Sequence, residues 1–261
     1  MDWNPEAYKR FNEQRSRPLV DLLELLPPLR DVRLLDLGCG DGRLTRFAAE
    51  RLGAAEVLGI DSSDKMIAAA RAADDRGARS VWHKADLRDV LDEEETYDVV
   101  LSNAALQFVP DHLDVFPRLM ARVAPGGWLA VHMPYNHIAR SHLLMEMAAR
   151  ADDLAGSWTG PAVSWPQERP ETYARMLKDG RFEHGLVQLR TYRHTMPGAA
   201  AIVEWMRSGG LGAWLDVIEP SRHEAFVGIY QELISQAYPP LPDDQRLLDY
   251  TRLLIVARAP G

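Results

Sequence analysis

A single cysteine, Cys39, stands in 261 residues, so no disulfide can form within the chain. Stability must come from a packed core, and a chain this long can bury one without staples. No apolar run approaches the roughly 18 residues that a membrane span needs. The opening segment, Met-Asp-Trp-Asn-Pro, lacks the apolar stretch of a secretion signal, so a cytoplasmic location with no membrane partner is expected. Positive charge is also scarce: Lys plus Arg number 30 against 38 Asp plus Glu, a net charge of −8. That balance argues against nucleic acid as a partner, since phosphate binding needs a basic face. A small anionic substrate remains compatible with it, because a few arginines in one pocket reverse the local field. Neither an internal repeat nor a low-complexity linker is present.

What the chain does have is an alternation of short apolar runs and helical patterns. Residues 5–26 read as two short helices separated at Pro18, and Pro27-Pro28 ends the second. Arg33–Leu37 reads as a short buried strand, and Val57–Ile60, Val81–Ala85, Asp98–Ser102 and Trp128–Met133 as the strands that follow. Between them, Arg43–Leu52, Lys65–Arg76 and Leu113–Val123 read as helices, the second capped by Ser63 and closed by Gly77. Pro125-Gly126-Gly127 reads as a turn. Strands alternating with helices imply an α/β fold, a parallel sheet with helices on both faces. Further on, Gly185–Arg193 and Arg252–Arg258 read as strands, with two amphipathic helices near 198–218 and 221–237 between them. Such a helical insertion beside a parallel sheet suggests a cap over a site.

Residues 36–42 read Asp36-Leu37-Gly38-Cys39-Gly40-Asp41-Gly42, after a strand and before a helix. Glycine lets a backbone turn sharply and approach a ligand closely. The dinucleotide fingerprint needs G-x-G-x-x-G, and Arg43 stands where its third glycine would be. An acid followed by G-x-G-x-G is instead the pattern of class I methyltransferases, whose cofactor, S-adenosylmethionine, carries cations that an acidic side chain can meet. Asp61, followed by Ser62, ends the second strand, where an acid can accept both ribose hydroxyls. Asp61 could equally cap a helix. Asp86 with Leu87 follows the third strand; the acid can accept the adenine amino group while Leu87 flanks the ring. Taken alone, Asp86 reads as a solvated loop acid. Asn103 ends the fourth strand. Ligands of open parallel sheets bind at the carboxyl ends of the strands, where all of these lie. Ala104-Ala105-Leu106 follows Asn103, rather than the Pro-Pro-aromatic run of enzymes that methylate base amino groups.

The chain resembles the trans-aconitate methyltransferases, bacterial enzymes that methylate a carboxylate of a small polycarboxylic acid. The likeness runs from Trp3 to about Arg258. It rests on Asp2-Trp3-Asn4-Pro5, Arg15-Ser16-Arg17-Pro18, the glycine loop, Gly59-Ile60-Asp61-Ser62-Ser63, Val109-Pro110-Asp111-His112, Met133-Pro134 and Asn136. Later matches are Tyr192, His194, Met196, Trp205, Gly210-Leu211 and Ala237-Tyr238-Pro239-Pro240. The chain departs from the family pattern at Tyr135, Arg193, Gly212-Ala213 and the loop 154–170. These departures fall in segments expected to line the acceptor pocket, so the particular acid stays open. The resemblance implies a Rossmann-like seven-stranded class I methyltransferase sheet with a helical lid insertion. The expected organisation is a single domain: an N-terminal helical segment over the site (1–30), a cofactor-binding core (30–133), a variable acceptor-side segment (134–184) and a helical lid (194–249).

An acceptor carboxylate is already ionised at neutral pH, its pKa lying near 4, so no catalytic base is expected; positioning does the work. The acceptor's spare carboxylates call for arginines, whose planar fork grips them in bidentate fashion. The candidates are Arg15, Arg17, Arg193 and Arg252, with Tyr192 and His194 as hydrogen-bond donors. Each arginine could instead be a surface ion pair, or for Arg252 a cross-strand pair. His132, His137 and His142 are evenly spaced, but they straddle a strand end, Pro134 and a helix start, so no metal is expected. Trp205 and Trp214 read as lid core. The acceptor could also be a monoacid or a phenol. A cofactor-binding protein without catalysis is a further alternative.

Overall fold

The computed structural model describes residues 12–73, 78–151, 154, 163, 165–207 and 209–261; of residues 12, 13 and 15 it describes the backbone alone. The strands are β1 (Val32–Leu37), β2 (Ala54–Asp61), β3 (Arg79–Lys84), β4 (Tyr97–Asn103), β5 (Val123–Pro134), β6 (Glu183–Met196) and β7 (Arg246–Arg258). The helices are α1 (Asn12–Leu23), α2 (Arg43–Leu52), α3 (Asp64–Ala72), α4 (Leu87–Val90), α5 (His112–Ala121), α6 (Arg140–Ala149), α7 (Pro170–Asp179), α8 (Ala199–Arg207), α9 (Gly210–Leu215) and α10 (His223–Ala237). Among the described residues no helix is long and apolar enough to cross a membrane.

Seven strands form one sheet in the order β3-β2-β1-β4-β5-β7-β6. The neighbours from β3 to β5 run parallel, and β7 runs antiparallel to β5. This is the Rossmann-like sheet of class I methyltransferases. β1 lies inside it, between β2 and β4, and has Leu34, Leu35 and Leu37 fully buried, as a strand covered on both faces requires.

Contacts divide the chain into two compact units. The sheet unit comprises Ser16–Pro134, Pro166–Arg190 and Arg252–Gly261. Its core joins Leu19 and Leu22 of α1 and Ala48 and Ala49 of α2 to Leu34, Val99, Leu101, Ala130 and Leu254 of the sheet. A fully buried leucine of this kind stabilises a fold by about 2 kcal/mol. The helical unit comprises Tyr135–Trp165 and Thr191–Thr251. There Phe226, Tyr230 and Ile234 of α10 pack with Met145 and Ala148 of α6 and Ile202, Trp205 and Met206 of α8. The Tyr230 hydroxyl donates to the Ser141 carbonyl at 3.1 Å, so its polar tip is satisfied inside that core.

Several local expectations need correction. Pro18 lies inside α1 and does not divide it. A proline removes one backbone donor, and burial of Leu19, Leu22 and Leu23 outweighs that loss. The first expected helix, with Tyr8 and Phe11, lies outside the described residues, as does Gly77. α3 stops earlier, at Ala72. The Pro125-Gly126-Gly127 segment is taken into β5 as an irregularity, with Gly126 at φ 72° and the β4–β5 register shifting between Tyr97 and Val99. The helix expected over 198–218 is broken into α8 and α9 at Gly209-Gly210.

Candidate active site

The glycine loop leaves β1 and is tied at once to β2, where Gly38 N–H and Cys39 N–H both donate to the Ile60 carbonyl, at 2.8 and 2.9 Å. Gly38 has φ 86°, and a Cβ placed there would stand 2.1 Å from the Cβ of Ala105. Only glycine lets the loop pass that turn. Gly40, at φ 56°, would place a Cβ in open space with nothing within 4 Å, so the loop is cradle-shaped at that residue. Asp61 fastens the loop from β2. One carboxylate oxygen accepts Gly40 N–H at 2.9 Å, and the other accepts Ser63 N–H at 2.9 Å. Ser63, not Asp61, caps α3, accepting Met66 N–H at 3.4 Å. Each oxygen of Asp61 keeps a lone pair for a further donor. Ser62 beside it is exposed.

Asp36 is buried beneath the loop. Its Oδ2 accepts the Thr45 hydroxyl at 2.6 Å, while Oδ1 has no partner among the described residues. Burial, and to a smaller extent the charge of Asp61, push its pKa up to about 7, against the opposing bond from Thr45. A half-ionised buried carboxyl with one bare oxygen suits a cationic ligand. Cys39 is buried, and burial with the neighbouring acids pushes its thiol pKa far up, which leaves it without thiolate character.

Asp86 caps the short α4, its Oδ1 accepting Arg88 N–H at 2.9 Å. The Arg88 guanidinium also grips both oxygens, at 3.0 and 2.7 Å, and holds the carboxyl below its usual range. Any further donor must therefore share this carboxylate with Arg88. Leu87 beside it is half-buried.

Asn103, at the end of β4, faces the neighbouring strand. Its Oδ1 lies 2.8 Å from His132 Nδ1, and an amide oxygen only accepts, so the imidazole proton sits on Nδ1. Burial, and then the charge of Arg252, hold His132 well below the usual histidine range, so it is neutral. Strand register puts these groups on one face of the sheet. Asp36 pairs with Leu101, Asn103 with His132, His132 with Leu254 and Pro134 with Arg252. Side chains two residues apart share a face. Asp36, Asn103, His132 and Arg252 therefore share one face at the carboxyl ends of their neighbours.

The arginine candidates separate sharply. The Arg252 side chain is 5 % exposed. Arg193 is exposed and forms a bidentate cross-strand pair with Asp249 at 2.7 and 2.9 Å. Arg17 is exposed and contacts the buried Asp21 at 2.7 Å, and Arg190 reaches the same carboxylate at 2.9 Å. Arg15 lies on α1, with its side chain outside the described residues. In the helical unit, Tyr192 stacks on His194 at 6.5 Å and His194 lies 4.8 Å from Trp205. The row continues through Tyr250, His142 and Trp165.

His132 carries one signal in the sequence: it is the only titratable side chain in the run Trp128–Met133. Trp165 and Tyr250 carry none that sets them apart, and His142 none beyond its even spacing with His132 and His137. Their neighbourhood arises from packing between distant segments and leaves no local pattern. Among the described residues no three His, Cys, Asp or Glu side chains group to hold a metal. An apolar cavity of about 550 Å³, lined by Met120, Val123, Met176 and Phe182 among others, lies at the amino end of β5 and carries none of these groups.

A family model described as a methyltransferase domain matches residues 34–127, from β1 to the turn within β5. The chain is 39% identical to a trans-aconitate 2-methyltransferase of Methylobacterium radiotolerans, over 98% of both chains. It is 39% identical to one of Rhizobium rhizogenes, over 98% of this chain and 99% of that protein. An Escherichia coli trans-aconitate 2-methyltransferase is 35% identical over 98% of each. Among solved structures, a putative methyltransferase of Bacillus halodurans matches with TM-score 0.59 at 16% identity, over 94% of this chain and 100% of that one. A Haemonchus contortus phosphoethanolamine N-methyltransferase solved with S-adenosyl-L-methionine matches with TM-score 0.56 at 19% identity, over 94% of this chain and 52% of that one. The structural likenesses speak for the fold.

Proposed function

This chain belongs to the trans-aconitate methyltransferase family, and we propose that its acceptor is a small polycarboxylic acid of the trans-aconitate kind, esterified on one carboxylate oxygen. It is an S-adenosylmethionine-dependent methyltransferase acting on a small molecule. When bound, the cofactor supplies a methyl group on a positively charged sulfur. The bare Oδ1 of buried Asp36 and the open cradle at Gly40 fit such a cationic group.

In this reading Gly38 and Gly40 give the cofactor close approach, and Asp36 faces its positive charge. Asp61 and Ser62 take the ribose, Asp86 and Leu87 the adenine, and Asn103 closes the edge. The acceptor needs no base, because its carboxyl is ionised at neutral pH. The protein's task is to hold that oxygen in line and keep water out, which can be worth about 7–11 kcal/mol of barrier. Arg252 is the single observation that carries the acceptor assignment: a buried guanidinium on the sheet face that Asp36 and Asn103 share. Arg15 and Arg17 on α1, and Tyr192, Arg193 and His194 in the helical unit, are the further acceptor candidates, and the exposed ion pair of Arg193 makes it the weakest clamp among them.

The test is a transfer assay with methyl-labelled cofactor against triacids, diacids, monoacids and phenols. Turnover of trans-aconitate and related polyacids is expected, with loss on Arg252→Ala. Turnover confined to phenols or amines would overturn the reading.

A further inference from the structure

His132 has a polar atom that the roles above leave unused. Its ring is 1 % exposed. Nδ1 is committed to Asn103 at 2.8 Å, and Nε2 has no partner among the described residues. A buried nitrogen left bare is costly, because it has given up its water without gaining a partner. The ring shares a sheet face with Arg252, two ladder positions from it, and Arg252 is the charge that bears on it. On the sheet-unit stretches of the strands beside it the other charged groups are Asp98 on β4 and Arg258 on β7, with Arg33 and Asp36 on β1 beyond β4. Further charged groups of this unit are the Arg17–Asp21–Arg190 cluster of α1 and β6, and Glu168 and Arg169, which flank Gln167, itself donating to the Pro134 carbonyl at 3.1 Å.

We propose that His132 is a positioning residue for the acceptor: it takes up a proton when the polyanion binds and donates from Nε2 to one of its carboxylates, beside Arg252. This deepens the polycarboxylate reading and rests on it. The physical argument is one of linkage. In the free protein, burial and Arg252 keep the ring neutral. A bound carboxylate places an opposite charge beside the ring and gives Nε2–H an acceptor, and both favour the protonated form against the burial that remains. The Asn103 bond is compatible with both states, because Nδ1 is a donor in the neutral and the protonated ring alike. Proton balance is simple: one proton enters from solvent with the acceptor and leaves when the less charged ester departs.

The experiment is calorimetric titration of trans-aconitate into the protein saturated with S-adenosylhomocysteine, in buffers of differing ionisation enthalpy at pH 7.5. Uptake approaching one proton per site is expected. The acceptor Kd should weaken by up to about tenfold per pH unit over the range where uptake occurs. His132→Gln keeps a donor but cannot titrate. It should bind with uptake near zero and a flat pH profile, which separates the His132 proton from any taken by Asp36. Binding without proton uptake in the native protein overturns this inference and leaves the acceptor reading standing, whether or not the variant folds. Unchanged uptake in a folded His132→Gln overturns it too. Absence of trans-aconitate binding overturns both.

Discussion

Thr45 donates its hydroxyl to Asp36 at 2.6 Å, and that bond holds one oxygen of a buried carboxyl whose other oxygen meets no protein donor among the described residues. The pair couples α2 to the end of β1. It leaves the carboxyl poised, with burial raising its pKa to about 7 and the hydroxyl alone resisting.

Cofactor binding should therefore depend on pH. A cationic ligand needs the ionised form, so affinity rises toward pH 7 and levels off above it. Below pH 7 it falls by up to about tenfold per unit. Titration of S-adenosylmethionine between pH 5.5 and 8.5 measures this. Asp36→Asn should flatten the profile and weaken binding by roughly tenfold or more, the scale of a lost charged hydrogen bond. A pH-independent Kd in the native protein would remove Asp36 from the cofactor site.

Gly38→Ala should unfold or strongly destabilise the loop, because its Cβ would lie 2.1 Å from that of Ala105 at φ 86°. Left-handed strain and overpacking together predict a loss of about 2–4 kcal/mol. Adding Ala105→Gly removes the clash but not the strain, so the double variant should recover part of the loss. Urea unfolding of the four-member cycle reads the coupling, and strict additivity would count against the contact.

Arg252 and Arg193 should behave oppositely. Arg252→Lys keeps the charge but loses the fork, and the acceptor KM should rise at least about tenfold. Arg193→Ala breaks an exposed pair with Asp249, so stability should change by less than about 1 kcal/mol and KM by less than about threefold. Steady-state kinetics and thermal melts on both variants decide between them.

Acid should destabilise the protein through its buried histidines. Burial lowers the pKa of His112, His132 and His142, the last to about 4. The unfolded chain binds protons more tightly at these rings, so stability is fully present above pH 6.5 and is lost as pH falls from there. Asp36 works in the other direction. Its raised folded pKa adds stability as pH falls from about 7 toward its ordinary 3.8. Asp36→Asn should therefore steepen the acid loss, and His142→Phe should soften it, in urea melts from pH 5 to 8.

The five parallel strands are legible in the sequence, because their runs are short and four of them close on Gly, Asp or Asn and the fifth on Pro134. Helix interruptions were harder to read. Pro18 reads as a boundary and the pair Gly209-Gly210 as helix interior, yet the structure has an unbroken α1 and a split between α8 and α9. Burial of Leu19, Leu22 and Leu23 holds α1 together across Pro18, whereas the break at Gly209-Gly210 follows glycine's low helix preference. The helical unit also takes Tyr135–Trp165 from the variable segment and leaves Pro166–Arg190 with the sheet, a division that no composition change marks.

The sequence by itself determined the glycine loop, the acids at the strand ends and the cofactor class, because each is a local pattern next to a strand with a definite end. Tertiary structure sets which charges are buried. Arg193 and Arg252 look alike in sequence, each on a strand near the chain's end. The pairing of β7 with β5 buries Arg252 opposite Pro134, while Arg193 stays exposed and pairs with Asp249. The same pairing places His132 between Asn103 and Arg252, and so turns an unremarkable histidine in an apolar run into a buried base with one bare nitrogen. Charge and basicity follow burial and neighbours, and those are fixed only when distant strands meet.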